Sequence, residues 1–126
     1  NIIKTTFIIE TGKEKRKIGI YAGNSPLSER IGFYVEPNGN SLGVATSAKK
    51  VGPSLSFGNA DAVTIVANSS SIADAVATAT ANRIKTRKDL PKAVEWAMSL
   101  PKIHSAIAIL DDCFAIAGNI EIFPWK

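Results

Sequence analysis

The chain has 126 residues, 45% of them hydrophobic and 21% charged, with a formal net charge of +4. That balance fits one globular domain over residues 1–126 and excludes both a disordered chain and a second domain. The single cysteine, Cys113, excludes an intrachain disulfide and a cysteine-based metal site. Cys113 reads as a small apolar packing residue. No apolar run approaches the roughly 18 residues of a membrane span, and nothing resembles a secretory signal, so no membrane partner is expected. The chain opens on Asn1 rather than Met, and it is read as part of a longer cytoplasmic protein.

In chain order, "TTFIIE" and "KIGIYAG" read as two strands joined as a hairpin by a basic turn around Gly12. The run Lys13 to Lys17 is a solvated tip; no aromatic residues interleave it, so no nucleic-acid partner is expected. "AGNSPLSER" is a loop. "IGFYVE" and "SLGVATS" form a second pair of strands across the turn signal "PNGN", with Phe33/Val35 and Leu42/Val44 alternating as half-buried strands do. "AKKVGPSLSFGN" is a loop rich in Gly, Ser and Pro. It leads into "ADAVTIVA", whose Val63, Ile65 and Val66 mark a central strand apolar on both faces over residues 62–67.

Serines 69 to 71 then supply caps for an alanine-rich helix that begins within two residues of Ser71 and runs to about Arg83. Ile72, Val76 and Ala79 form its apolar stripe. With Ser71 as N-cap, Asp74 falls at the third helical position, where a carboxylate satisfies first-turn amides. A second helix is predicted from Pro91 to about Ser99, with Asp89 near its cap and Ala93, Val94, Trp96 and Ala97 on its apolar side. "SAIAIL", a turn at Asp111 and Asp112, and "CFAIA" form a final hairpin, followed by "NIEIF" after Gly118. His104, the only histidine, reads as a strand-end residue. The order β-β-β-β-β-α-α-β-β predicts an α+β fold, with helices on one face of a mixed or antiparallel sheet. Because "AVTIVA" and "SAIAIL" are apolar on both faces, the sheet is expected to complete its core with another segment or a second copy.

Three features stand out as candidates for chemistry. "GVATS" ends in the hydroxyls of Thr46 and Ser47, and also reads as a plain interior strand with a polar end. "GPSLSFG" carries Ser54 and Ser56 among amides that can hold a phosphate, and also reads as an ordinary loop. Asp74 and Thr78, one helical turn apart, can offer a carboxylate and a hydroxyl to one cation, for which magnesium is suited. Equally, Asp74 explains itself as a first-turn carboxylate. No Walker-type or dinucleotide glycine motif is present.

Taken in order, "GVATS", "GPSLSFGNADAVTIVA" and "SIADAVATATANRI" resemble the C-terminal half of the ApbE superfamily, and in particular a UPF-series family of ApbE-related proteins. The resemblance runs from about Ile18 to Ile122 and is most specific over residues 43–83. ApbE proteins are magnesium-dependent flavin transferases that cleave FAD and attach FMN to a threonine. The resemblance implies a T-fold-like sheet of mainly antiparallel strands with two helices packed on it. It implies Asp74 and Thr78 of "ADAVATA" as magnesium ligands, with Thr46, Ser47, Ser54 and Ser56 near the FAD or FMN phosphates. It also implies a partner in an N-terminal segment or a homo-oligomer. The sequence departs from the ApbE pattern where a histidine-containing segment is replaced by "KKVGPSLSFGN", with Pro53 near the position of a histidine in the related family; the Gly-Gly-Asp segment is absent. The competing expectation is a non-catalytic binding or assembly module on the same fold.

Overall fold

A computed structural model describes residues 2–9, 16–20, 25–28, 30–35, 42–49, 59–118 and 120–124. Within them lie β1 (Ile2–Ile9), β2 (Arg16–Gly19), β3 (Ile31–Val35), β4 (Leu42–Lys49), β5 (Ala62–Ala67), α1 (Ser70–Asn82), α2 (Asp89–Met98), β6 (Ile103–Leu110), β7 (Cys113–Gly118) and β8 (Glu121–Pro124). The strands form a five-stranded sheet in the order β1-β4-β5-β6-β7 and a three-stranded sheet in the order β2-β3-β8. All the described pairings are antiparallel. Two helices on a mainly antiparallel sheet is the expected α+β class, and β5 is its central strand, as predicted.

The strands pair differently from the expectation. β1 pairs with β4 rather than with β2, and β3 pairs with β2 and β8 rather than with β4. Hydrophobic alternation marks which segments are strands but carries no address for the partner, so sequence neighbours were joined by default. β2 begins at Arg16, a residue read as part of the hairpin tip, one position before the expected strand "KIGIYAG". The "PNGN" turn lies outside the described residues. The final hairpin is as expected, with Asp111 at φ 55 in the two-residue turn between β6 and β7. An eighth strand follows: Gly118, at φ 97, diverts the chain out of the first sheet and β8 joins the second. A Cβ at Gly118 would sit 2.3 Å from the His104 carbonyl.

The layering follows from the period-two geometry of the strands. One face of the larger sheet presents Ala45, Val63, Ile65, Ala67, Ala106 and Ala108 to Ala73, Ala77 and Ala81 of α1 and to Leu90, Ala93, Val94 and Ala97 of α2. The other face presents Val44, Ala62, Val66, Ile107 and Ile109 to Ile20, Ile31 and Phe33. Every residue of β5 is buried, as are residues 105–110 of β6. The chain's own helices cover one face of these strands and its second sheet covers the other.

Helix α1 is capped by Ser69, whose Oγ accepts from the Ile72 amide at 3.3 Å. Its buried face is Ala73, Ala77, Thr80 and Ala81. Ile72 and Val76 only flank that face, which corrects the predicted stripe. The alanines win the centre because the helix lies too close to the sheet for longer side chains. Asp89 Oδ2 accepts from the amides of Lys85 and Thr86 at 2.9 and 3.0 Å, fixing the turn into α2. The two backbone donors, Lys85 first, hold its carboxyl below its ordinary 3.8. Arg83 stacks over Trp96, 3.6 Å from the ring centroid, and ties the two helices together. At the bulge between Val66 and Ala67, β6 skips His104. The freed imidazole Nε2 meets Asn68 Oδ1 at 2.5 Å, a strand-end role.

Three outcomes follow for stability. Thr80 is fully buried, and among the described residues its hydroxyl meets no hydrogen-bond partner. Thr80→Val keeps the shape and removes that cost, so it should stabilise by about 1 kcal/mol in denaturant unfolding. Gly43→Ala should destabilise by about 3 kcal/mol in the same assay, since its Cβ would lie 2.1 Å from the Ser70 amide nitrogen. Asp89 stabilises the fold while ionised, so its contribution is present above the unfolded-state pKa and lost as pH falls through the depressed folded-state value. Asp89→Asn should therefore flatten the fall of Tm below about pH 4.

Candidate functional site

The site is built on the close approach of α1 to β4. Gly43 lies directly under the start of the helix, with its missing Cβ position 2.1 Å from Ser70 N and 2.2 Å from Ser69 C. Only glycine leaves room there, so the start of the helix is fixed over that point of the strand. From Gly43 to Ser47 the strand advances about 13 Å; from Ser70 to Thr78 the helix advances about 12 Å. The two rises match, and the helix is held in step with the strand for two turns. Ala45, between Gly43 and Ser47 on the same face, joins Ala73 and Ala77 in the core beneath the helix. At the far end of this match, Ser47 Oγ and Thr78 Oγ1 meet at 3.3 Å.

Thr78 Oγ1 also donates to the carbonyl of Asp74 at 3.2 Å, which holds the hydroxyl proton back along the helix. Ser47 is then the donor across the 3.3 Å contact, and its own lone pairs remain available. Ser47 is 2% exposed; Asp74 and Thr78 are half-buried, and Asp74 Oδ1 is shut off from solvent. These two lie on the flank of α1 next to its buried face. With Thr78 bonded to Ser47 of β4 and α1 also reaching β1, that flank is turned toward the β4–β1 side of the sheet. The β1–β4 register sets Lys4 opposite Ser47 and Thr6 opposite Ala45.

With Ser69 rather than Ser71 as N-cap, Asp74 is the fifth helical residue, and the first turn holds no acidic side chain. The account of Asp74 as a carboxylate satisfying first-turn amides is therefore overturned: those amides are a turn away. Three consecutive serines offer the same capping chemistry. The close packing of Ser70 on Gly43, not cap preference, decides which serine ends the extended chain.

Of the six residues proposed for binding, the structure brings the hydroxyls of Ser47 and Thr78 together, and Asp74 stands one helical turn from Thr78, which bonds to its backbone carbonyl. Thr46 is on the opposite face of β4, where its hydroxyl meets that of Thr64 at 2.8 Å. Its position follows from the pleat, which sends successive side chains to opposite faces. Thr64 is 1% exposed, so the pair is a polar tie between two central strands. Ser54 and Ser56 lie outside the described residues. The sequence reading missed the Ser47–Thr78 contact and the role of Gly43. The signal available was the small-residue spacing Gly43/Ala45/Ser47 matched against Ala73/Ala77/Ala81.

As a metal centre, the set is partial. Among the described residues, no group of three His, Cys, Asp or Glu side chains is placed to hold an ion. One carboxylate and neutral hydroxyls fit the kind of magnesium site that leaves several positions to water and to substrate phosphates, and do not fit a site for a soft metal. No helix of the described residues is long and apolar enough to cross a membrane.

Comparison with known proteins agrees with the region of the motifs. A family model described as "AbpE bacteria" matches residues 6–101. A UPF0280 protein of Methanocella arvoryzae is 41% identical over 103 residues, covering 82% of this chain and 42% of its own. The UPF0280 protein MJ1526 of Methanocaldococcus jannaschii is 44% identical over 108 residues, covering 82% of this chain and 44% of its own. A third, from Methanoculleus marisnigri, is 53% identical over 81 residues, 60% of this chain and 33% of its own. The chain thus spans less than half the length of these relatives. Both helices, β4, β5 and the Ser47, Asp74 and Thr78 cluster fall inside the matched region, and the chain belongs to the AbpE-related family of UPF0280 proteins.

Proposed function

We propose that this chain is the metal- and phosphate-handling part of a protein that binds a flavin nucleotide, FAD or FMN, with magnesium, in the manner of an ApbE-like flavin transferase. The observation that carries the reading is the contact between the Ser47 and Thr78 hydroxyls at the seam between α1 and β4, with Asp74 one helical turn from Thr78. Asp74 is outside the first turn and so does not serve the first-turn amides. The motif "ADAVATA", similar to that of the flavin transferases, supports the choice of ligand.

In this reading Asp74 contributes the charge and Thr78 a hydroxyl oxygen to the cation. The bond from Thr78 to the Asp74 carbonyl fixes the hydroxyl proton and, with Ser47 donating to it, leaves one lone pair on Thr78 Oγ1 for the cation. Ser47, itself buried, donates to Thr78 from below and so orients it. Magnesium, when bound, supplies Lewis-acid polarisation of a pyrophosphate oxygen. Substrate, acceptor and any transferase activity belong to the complete protein, and the second reading, a binding module without chemistry, shares this site and differs only in turnover.

The test is calorimetric titration of FAD into the chain with and without magnesium. Magnesium-dependent binding is expected, with Asp74→Ala abolishing it and Thr78→Val weakening it at least tenfold while circular dichroism stays unchanged. Binding indifferent to magnesium and to both substitutions would retire the proposal.

A further inference from the structure

We propose that β7 pairs antiparallel with β7 of a second copy of this chain, about a two-fold axis at Ile116, independently of the site above. β7 is the edge of the five-stranded sheet. Its two large apolar side chains, Phe114 and Ile116, are 43% and 40% exposed. Edge strands that stay single are blunted by charge or proline. The described edge strand β8 carries Glu121 and ends in Pro124, whereas "CFAIAG" has neither device.

The register follows from the hairpin. The connection at Asp111 and Asp112 is two residues long, so the flanking pair Leu110–Cys113 is the hydrogen-bonded kind. Pair types alternate, so Cys113, Ala115 and Ala117 turn their backbone groups toward β6, and Phe114, Ile116 and Gly118 turn theirs outward. Consistently, the Ile109 carbonyl, opposite Phe114, faces away from β7 to accept from Asp61 at 2.8 Å. Antiparallel pairing of two such edges then sets Ile116 opposite Ile116 of the second copy, with two reciprocal hydrogen bonds. Phe114 falls opposite Gly118, which has no side chain, so the ring can cover the bare backbone there. The Gly118 carbonyl already accepts from Ile120 at 3.1 Å; its amide remains the donor to Phe114. Two phenylalanines and two isoleucines thereby form one apolar stripe along the joined sheet.

Charge also favours a second copy as the occupant. The exposed Asp111 and Asp112 stand at one end of β7, and the exposed Lys102 and His104 stand at the other, beside Gly118. A two-fold axis at Ile116 reverses the strand, setting the acidic turn of one copy toward the Lys102–His104 end of the other. Arg87, 3.2 Å from Asp112 and 3.8 Å from Asp111, holds that turn in place from the α1–α2 connection.

Sedimentation of the chain should give the mass of two copies, and Ile116→Lys should weaken self-association at least tenfold without changing the circular dichroism spectrum. In a Cys113→Ser background, Ile116→Cys should oxidise to a covalent dimer. Hydrogen-bonded pairs lie about 5.5 Å apart at Cα, within disulfide reach. Phe114→Cys, two residues from the axis, should not. A single-copy mass at the highest soluble concentration overturns the proposal, as does equal cross-linking of both cysteine variants. A longer relative that remains single while its additional chain shields Phe114 and Ile116 from hydrogen exchange overturns it too.

Discussion

The contact between the backbone of α1 and Gly43 governs most of what the molecule can do. A helix beginning 2.1 Å from where a Cβ would stand allows no side chain between itself and the strand, and the residues along the contact shrink to match. Ala45, Ala73, Ala77 and Ala81 provide an apolar seam with little depth. Such a seam gains less from area burial than one of leucine and isoleucine, but it fixes position closely, because small residues leave few ways to slide. The polar cluster depends on that fixity. Ser47 and Thr78 are 31 residues apart in the chain and meet only because strand and helix advance together from Gly43.

The two central strands impose the second constraint. β5 and β6 are apolar on both sides, and an antiparallel sheet of this kind must be covered twice. Helices provide one cover. The other is assembled from β2, β3 and β8, which come from both ends of the described chain. Phe33, fully buried, is the centre of that second layer, while Tyr34 and Phe123 stack on its outer side with ring centroids 4.5 Å apart. The turn at Gly118 is what releases the chain from the first sheet to finish the second. It also leaves β7 as an edge with its apolar residues on the surface.

The polar groups of the sheet divide according to the pleat. Thr46 and Thr64 tie β4 to β5 on one face, and Ser47 meets α1 on the other. Adjacent hydroxyls in "ATS" thus serve different layers, one structural and one at the candidate site. Within α1 the same division is angular: Ala73 and Ala77 take the buried face, Asp74 and Thr78 the adjoining flank. Side chains on that flank are partly desolvated yet not enclosed by α2, a setting suited to holding a charged ligand at the margin of the core.

The sequence by itself determined the strand β5, the helix starting near Ser71, the second helix with Asp89 at its entry, and the hairpin at Asp111 and Asp112. Each rests on local chemistry: apolar periodicity, caps, and a short turn between alternating runs. The motif pairing Asp74 with Thr78 was equally legible, because one helical turn fixes their separation. Only the tertiary structure decided which strands pair, since alternation specifies a face and not a neighbour. Tertiary packing also chose Ser69 over Ser71 as the cap. It separated Thr46 from Ser47 and brought Ser47 to Thr78. Those outcomes depend on how closely two backbones approach at Gly43, a distance between segments remote in sequence that no local pattern encodes.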